Sequence, residues 1–165
     1  MTAEREIRCY EYVNHGYERV SRLLVADPAG LFQRATSTAA ARAEALVSKL
    51  KVSVAGLEVG KDVTIEVDSV ATDRHPPGEI TGPAMALTIH WSAATGAAFF
   101  PSMRAELLVY PLSAEETQLD LRGWYTPPGG LVGGAADALV GHRVAEASVH
   151  RFLQDVAARL SAEAS

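Results

Sequence analysis

Through the middle of the chain apolar side chains occupy every second position, and towards its C-terminal end they recur every three or four. The sequence therefore predicts a block of strands closed by a helix. Ahead of that block, Glu6 to Val13 sets Ile7, Cys9 and Val13 among Tyr10 and Tyr12, a β-branched and aromatic content that favours a first strand. After His15 and Gly16 the step changes. Tyr17, Val20, Leu23 and Leu24 share one face of a short helix whose other face carries Glu18, Arg19 and Arg22. Asp27 and Pro28 then predict a second helix start, because an aspartate side chain accepts from exposed first-turn amides and proline lacks only a donor that would be orphaned there. That helix is expected to run from Pro28 to about Val47, with Leu31, Phe32 and Leu46 anchoring an alanine-rich stretch of weak apolar face.

From Lys49 the period is two. Leu50, Val52 and Val54 alternate with polar residues until Ala55 and Gly56, where the parity slips to Leu57 and Val59 as at a bulge. Gly60 and Lys61 turn the chain into Val63, Ile65 and Val67, interleaved with Asp62, Thr64, Glu66 and Asp68. One buried face and one solvated face is the pattern of an antiparallel sheet covered on one side. Residues 74–83, rich in proline and glycine, break both periodicities. Three more strands follow, with Met85, Leu87, Ile89 and Trp91 inward on the first, Met103, Ala105, Leu107 and Val109 on the second, and Leu119, Leu121, Gly123 and Tyr125 on the third. Outside, Trp124 falls beside Arg122, an arrangement that suits a cation over a ring. Thr126, Pro127 and Pro128 end the last strand.

Beyond Gly134 the chain reads as one long helix with Leu139, Val140, Val144, Val149, Phe152, Leu153, Val156 and Leu160 as its stripe. Arg151 with Asp155, Asp155 with Arg159, and Glu146 with His150 are spaced four apart on the other face. The fold class is α+β: a strand, two helices, about five further antiparallel strands, making about six, and a long C-terminal helix that must cover the apolar face of the sheet.

A length of 165 residues fits one domain, 1–165, and no linker or internal repeat divides it. With 48% hydrophobic and 21% charged residues the composition is that of a globular chain. The formal charge is 15 minus 20, or -5, which argues against a nucleic-acid or anionic-membrane partner. Cys9 is the single cysteine, so neither an internal disulfide nor a paired-cysteine zinc site is available. The charged, aromatic start MTAEREIRCYEYVNH is not a secretory signal, and no apolar run reaches the roughly 18 residues of a membrane span. The expectation is a cytoplasmic protein.

The segment YTPPGGLVGGAADALVGHRVAEASVHRFLQDVAARL, Tyr125 to Leu160, resembles the strand end, turn and closing helix of bacterial proteins of the SRPBCC or START-like superfamily, whose fold is also called helix-grip or birch-pollen-allergen-like. YERVSRLLVADPAGLFQRAT, Tyr17 to Thr36, is similar to the pair of helices that superfamily inserts after its first strand. The likeness spans nearly the whole chain in element order. It implies a curved sheet around the last helix and, between them, a cavity for lipids, sterols, polyketides or other apolar molecules, catalytic in some branches.

The cavity candidates are Met85, Leu87, Ile89, Trp91, Met103, Leu107, Leu121, Gly123 and Tyr125 from the strands and Phe152 and Val156 from the helix. An alternating strand needs an apolar face with or without a ligand, so plain core packing is the competing reading. Small residues, Ala105 and Gly123, would leave volume unfilled on that face, although glycine also marks bends. Tyr125 carries the one inward hydroxyl, suited to orienting a ligand carbonyl or to bonding nearby backbone. His142 and His150 flank Glu146, but the two imidazoles are eight residues, about 12 Å, apart, too far to chelate one ion. No metal or cofactor is expected. There is no nucleophile elbow, phosphate loop or dinucleotide fingerprint.

These readings point to binding of a hydrophobic or amphipathic small molecule, lipid-like or polyketide-like. A polyketide cyclase or aromatase needs polar groups within the cavity, and Tyr125 is the obvious one. An interaction module with a collapsed cavity is a third reading, and a homodimer stays open. The loops 74–83 and 92–102 stand where they could gate a cavity.

Overall fold

The computed structural model describes residues 4–36, 63–93, 102–125 and 134–165. Within them β1 (Arg5–Val13) leads into α1 (Tyr17–Ala26) and a second helix, α2, described over 28–36. Then come β2 (Val63–Arg74), β3 (Ala84–Ala93), β4 (Met103–Pro111), β5 (Thr117–Tyr125) and α3 (Gly134–Ala164). The strand expected over 49–59, the continuation of α2 towards Val47, the turn at Pro127 and Pro128, most of the 92–102 loop, and the side chains of Leu139, Val140 and Val144 lie outside the described residues.

Asp27 caps α2 as its position predicts. The Gly30 N–H donates to Asp27 Oδ1 at 3.0 Å, and the Leu31 N–H donates to the Asp27 carbonyl at 3.1 Å. The cap closes tightly enough that a Cβ on Gly30 would stand 2.1 Å from the Asp27 carboxylate, so this cap geometry needs glycine.

The described strands form one antiparallel sheet in the order β1-β5-β4-β3-β2. Its register aligns the inward residues into rows. Arg5, Tyr125, Met103, Trp91 and Ile65 make one, and Ile7, Gly123, Ala105, Ile89 and Val67 the next. Register shifts after Val67 and Ala71 let β2 bend and help the sheet curve. On the outer face Arg122 pairs with Glu6, Arg74 with Glu106 at 2.9 Å and Arg8 with Asp120 at 3.0 Å. The Arg122 and Arg104 guanidinium groups lie 5.1 and 5.7 Å from the Trp124 ring centre, the cation and ring contact expected there.

Helix α3 covers the inward face with Val149, Phe152, Leu153, Val156 and Leu160, all buried. Phe152 meets Trp91 edge to face at 5.1 Å and Phe32 of α2 at 5.9 Å, so one aromatic cluster joins both helices to the sheet. Gln33 adds a polar tie, its Oε1 accepting from the Ile65 N–H at 3.1 Å. Of the helix pairs, Asp155 and Arg159 meet at 2.5 Å. Glu146 turns to His142 at 3.2 Å, because His150 reaches down to Glu11 of β1, also at 3.2 Å.

Candidate functional site

The alternation of β3, β4 and β5 brings the strand candidates to one face, and α3 lowers Phe152 and Val156 onto it. Met85, Leu87, Ile89, Trp91, Met103, Leu107, Leu121, Tyr125, Phe152 and Val156 are all buried and belong to one apolar cluster. Gly123 is buried between Ile7 and Ala105 in its row. The space its missing side chain leaves is taken by Met103: a Cβ on Gly123 would lie 2.6 Å from both Sδ and Cε of that thioether. The filler is the far end of an unbranched, flexible side chain, which can swing aside at low cost.

Tyr125 ends β5 in the outermost inward row. Its hydroxyl lies 2.7 Å from His142 Nδ1, and the two rings are stacked within 10° of parallel. The other imidazole nitrogen, Nε2, lies 3.2 Å from Glu146 Oε1. A carboxylate only accepts, so Nε2 carries the proton, and in the neutral ring Nδ1 is then the acceptor for the Tyr125 O–H. Burial pushes the Tyr125 phenol above its ordinary range, while the Arg5 guanidinium, its neighbour in the row, hydrogen-bonds it and pulls the other way. The result is an ordered chain from Arg5 through Tyr125 and His142 to Glu146, at the edge of an otherwise apolar surface. Such a chain can present a donor or acceptor to a carbonyl or hydroxyl, and it can move a proton along its length.

The sequence placed Tyr125 inward but gave it no side-chain partner. His142 was legible only as part of the row with Glu146 and His150. Its turn towards β5 depends on how α3 crosses the sheet, and no local spacing encodes that. Elsewhere on the inward face, burial and the negative charges of Glu11 and Asp120 push the Cys9 thiol up to about 12. Among the described residues no group of three His, Cys, Asp or Glu side chains is arranged to hold a metal ion. No helix among them is long and apolar enough to cross a membrane.

No protein-family model matches the chain, and no curated protein does. Solved structures do. The crystal structure of TTHA0849 from Thermus thermophilus is 15% identical, covers 98% of this chain and 100% of its own, and superposes with a TM-score of 0.50. The Zhui aromatase/cyclase from Streptomyces sp. R1128 is 11% identical over 99% of this chain and 97% of its own, with a TM-score of 0.51. At such identities the likeness is one of architecture. The chain has the helix-grip fold that its sequence resemblance implies.

Proposed function

We propose that the chain binds a hydrophobic or amphipathic small molecule between the sheet and α3, with Tyr125 and His142 at the polar end of the site. One observation carries this reading: a single hydrogen-bonded hydroxyl and imidazole, 2.7 Å apart, terminates an inward face that is otherwise apolar. Few polar groups placed at the end of an apolar surface is the usual make-up of a small-molecule site. Met103 supports it, because displacing a thioether from the hollow over Gly123 makes room without moving backbone. Each Å² of apolar ligand surface then buried contributes roughly 25 cal/mol before association costs. The remaining candidates, Met85, Leu87, Ile89, Trp91, Leu107 and Leu121 with Phe152 and Val156, form the walls in this reading.

Native mass spectrometry of the freshly purified protein, followed by solvent extraction, tests it. A stoichiometric apolar adduct is the expected result. A clean apo mass together with no thermal shift across a panel of fatty acids, sterols and aromatic polyketides would overturn it.

A second reading is favoured by the hydrogen-bonded chain itself. Arg5, Tyr125, His142 and Glu146 together form a proton-transfer device, and the Zhui aromatase/cyclase shares the fold. In this reading the Tyr125 hydroxyl polarises a substrate carbonyl and His142 takes up the proton released as a ring closes. Incubation with a poly-β-carbonyl thioester mimic separates the two readings: cyclised product that disappears in Tyr125→Phe supports catalysis, and unchanged mimic with retained binding supports sequestration.

A further inference from the structure

An open groove of about 690 Å³ runs along the β1 side of the molecule. Its floor is Ile7, Arg8, Cys9, Tyr10, Glu11 and Tyr12, an unbroken run of β1. Side chains of a strand alternate between faces, so consecutive residues can line one groove only by presenting the strand's backbone edge. β1 is the terminal strand of the sheet, and among the described residues no backbone hydrogen bond beyond the ladder to β5 involves it. The opposite wall is Arg143, Glu146, Ala147 and His150. Their spacing of i, i+3, i+4 and i+7 makes them one face of α3. An unpaired strand edge facing one side of a helix is the geometry that receives an extended peptide as an added strand, with main-chain hydrogen bonds for affinity and alternate side-chain subsites for selectivity.

The charges lining the groove indicate which peptide. Glu146 is committed to His142, Glu11 to His150 and Arg8 to Asp120. Arg143 is exposed and makes no ion pair among the described residues, so the uncommitted charge on the wall is positive. Next to it, Ala147 with Ile7 and Cys9 leaves an apolar notch. On the outer rim Tyr10 and Tyr12, 57% and 45% exposed and edge to face at 5.7 Å, offer aromatic surface to side chains pointing away from the helix. We propose that this groove binds an extended segment of a partner protein as an additional strand on β1, with an apolar side chain in the notch at Ala147 and an acidic side chain against Arg143. The floor is long enough for about six residues at ~3.3 Å each. This site is separate from the interior one of the preceding proposal and does not depend on it.

The test uses the full chain and two pools of fluorescein-labelled peptides, each of about eight residues with valine or threonine at alternate positions, the intervening positions aspartate in one pool and lysine in the other. Fluorescence anisotropy should show the aspartate pool binding at least about tenfold more tightly, a preference that Arg143→Glu reverses. Ala147→Gln, which fills the notch with a good helix former, should abolish binding with Tm unchanged, and backbone amide shifts on binding should fall on residues 7–12. Binding by neither pool, equal binding by both, survival of binding in Ala147→Gln, or shifts confined to the interior between sheet and α3 would each overturn the proposal. Should Ala147→Gln fail to fold, the charge reversal at Arg143 decides alone. A concentration-dependent dimer that Arg143→Glu abolishes and that no peptide competes away would assign the strand edge to a second copy of this chain and likewise overturn it.

Discussion

The Tyr125 hydroxyl and the His142 imidazole come from the last strand and the closing helix and meet at 2.7 Å with their rings nearly parallel. Because Glu146 holds the far side of the imidazole, the ring is fixed in orientation and tautomer, so the hydroxyl has a defined acceptor. Tyr125→Phe keeps the ring packing and removes that one bond. The expected loss of stability at pH 8 is about 1 kcal/mol, read by urea unfolding. Affinity for an amphipathic ligand should fall about tenfold, while a purely hydrocarbon ligand should bind as before. Equal losses for both ligands would place the hydroxyl outside the site.

Met103 and Gly123 are predicted to be energetically coupled. Gly123→Ala puts a Cβ 2.6 Å from the Met103 sulfur, and overpacking of this kind costs roughly 1–3 kcal/mol. Combining it with Met103→Ala should cost less than the sum of the two single changes. A double-mutant cycle by chemical denaturation measures the difference, and strict additivity would mean that the thioether does not fill the hollow.

Alkaline pH is expected to weaken the fold through Cys9. Its folded pKa of about 12 lies above the ordinary thiol value of 9.0, so the folded state holds this proton more tightly. Stability is fully present below about pH 9 and falls as pH rises towards 12. Tyr125, also raised, acts in the same direction from its own ordinary value upward. Urea midpoints for wild type and Cys9→Ser between about pH 8 and pH 11 check the sign, the variant losing less. In the folded protein at about pH 8 the thiol should also react with an alkylating reagent far more slowly than in urea.

Much of the fold was readable from period alone. The switch from two to three or four placed β3, β4, β5 and α3, the Asp27 and Pro28 pair placed the start of α2, and Arg122 beside Trp124 foretold a contact on the outer face. What period cannot encode is distance across the core. Gly123 reads as empty volume in one strand, and only the neighbouring strand's Met103 shows how that volume is used. His150 has Glu146 one turn away, yet its partner is Glu11, 139 positions back along the chain. The polar end of the site was half legible for the same reason: Tyr125 is a strand residue with a clear parity, whereas His142 acquires its role from the angle at which α3 lies over β5.

Phe152 is the residue on which both helices and the sheet converge, through Trp91 at 5.1 Å and Phe32 at 5.9 Å. Phe152→Ala is expected to cost about 3–5 kcal/mol, near the upper range for core truncations, with Phe152→Leu recovering more than half of it. Thermal and urea unfolding give the comparison. A loss below about 1 kcal/mol for the alanine variant would mean that the cluster is not the hub of the core.

Helix α3 is fastened to the rest of the molecule by two unlike means. Over Phe152–Leu160 the attachment is apolar, whereas over His142–His150 it includes imidazoles reaching Tyr125 and Glu11. Solvent therefore addresses the two stretches separately. Protonation of imidazole acts on the first half of the helix and leaves the second untouched, while agents that weaken apolar association do the reverse. The helix thus has a fixed heel and an adjustable toe, and the toe is the end that stands over both the polar tip of the interior site and the groove beside β1.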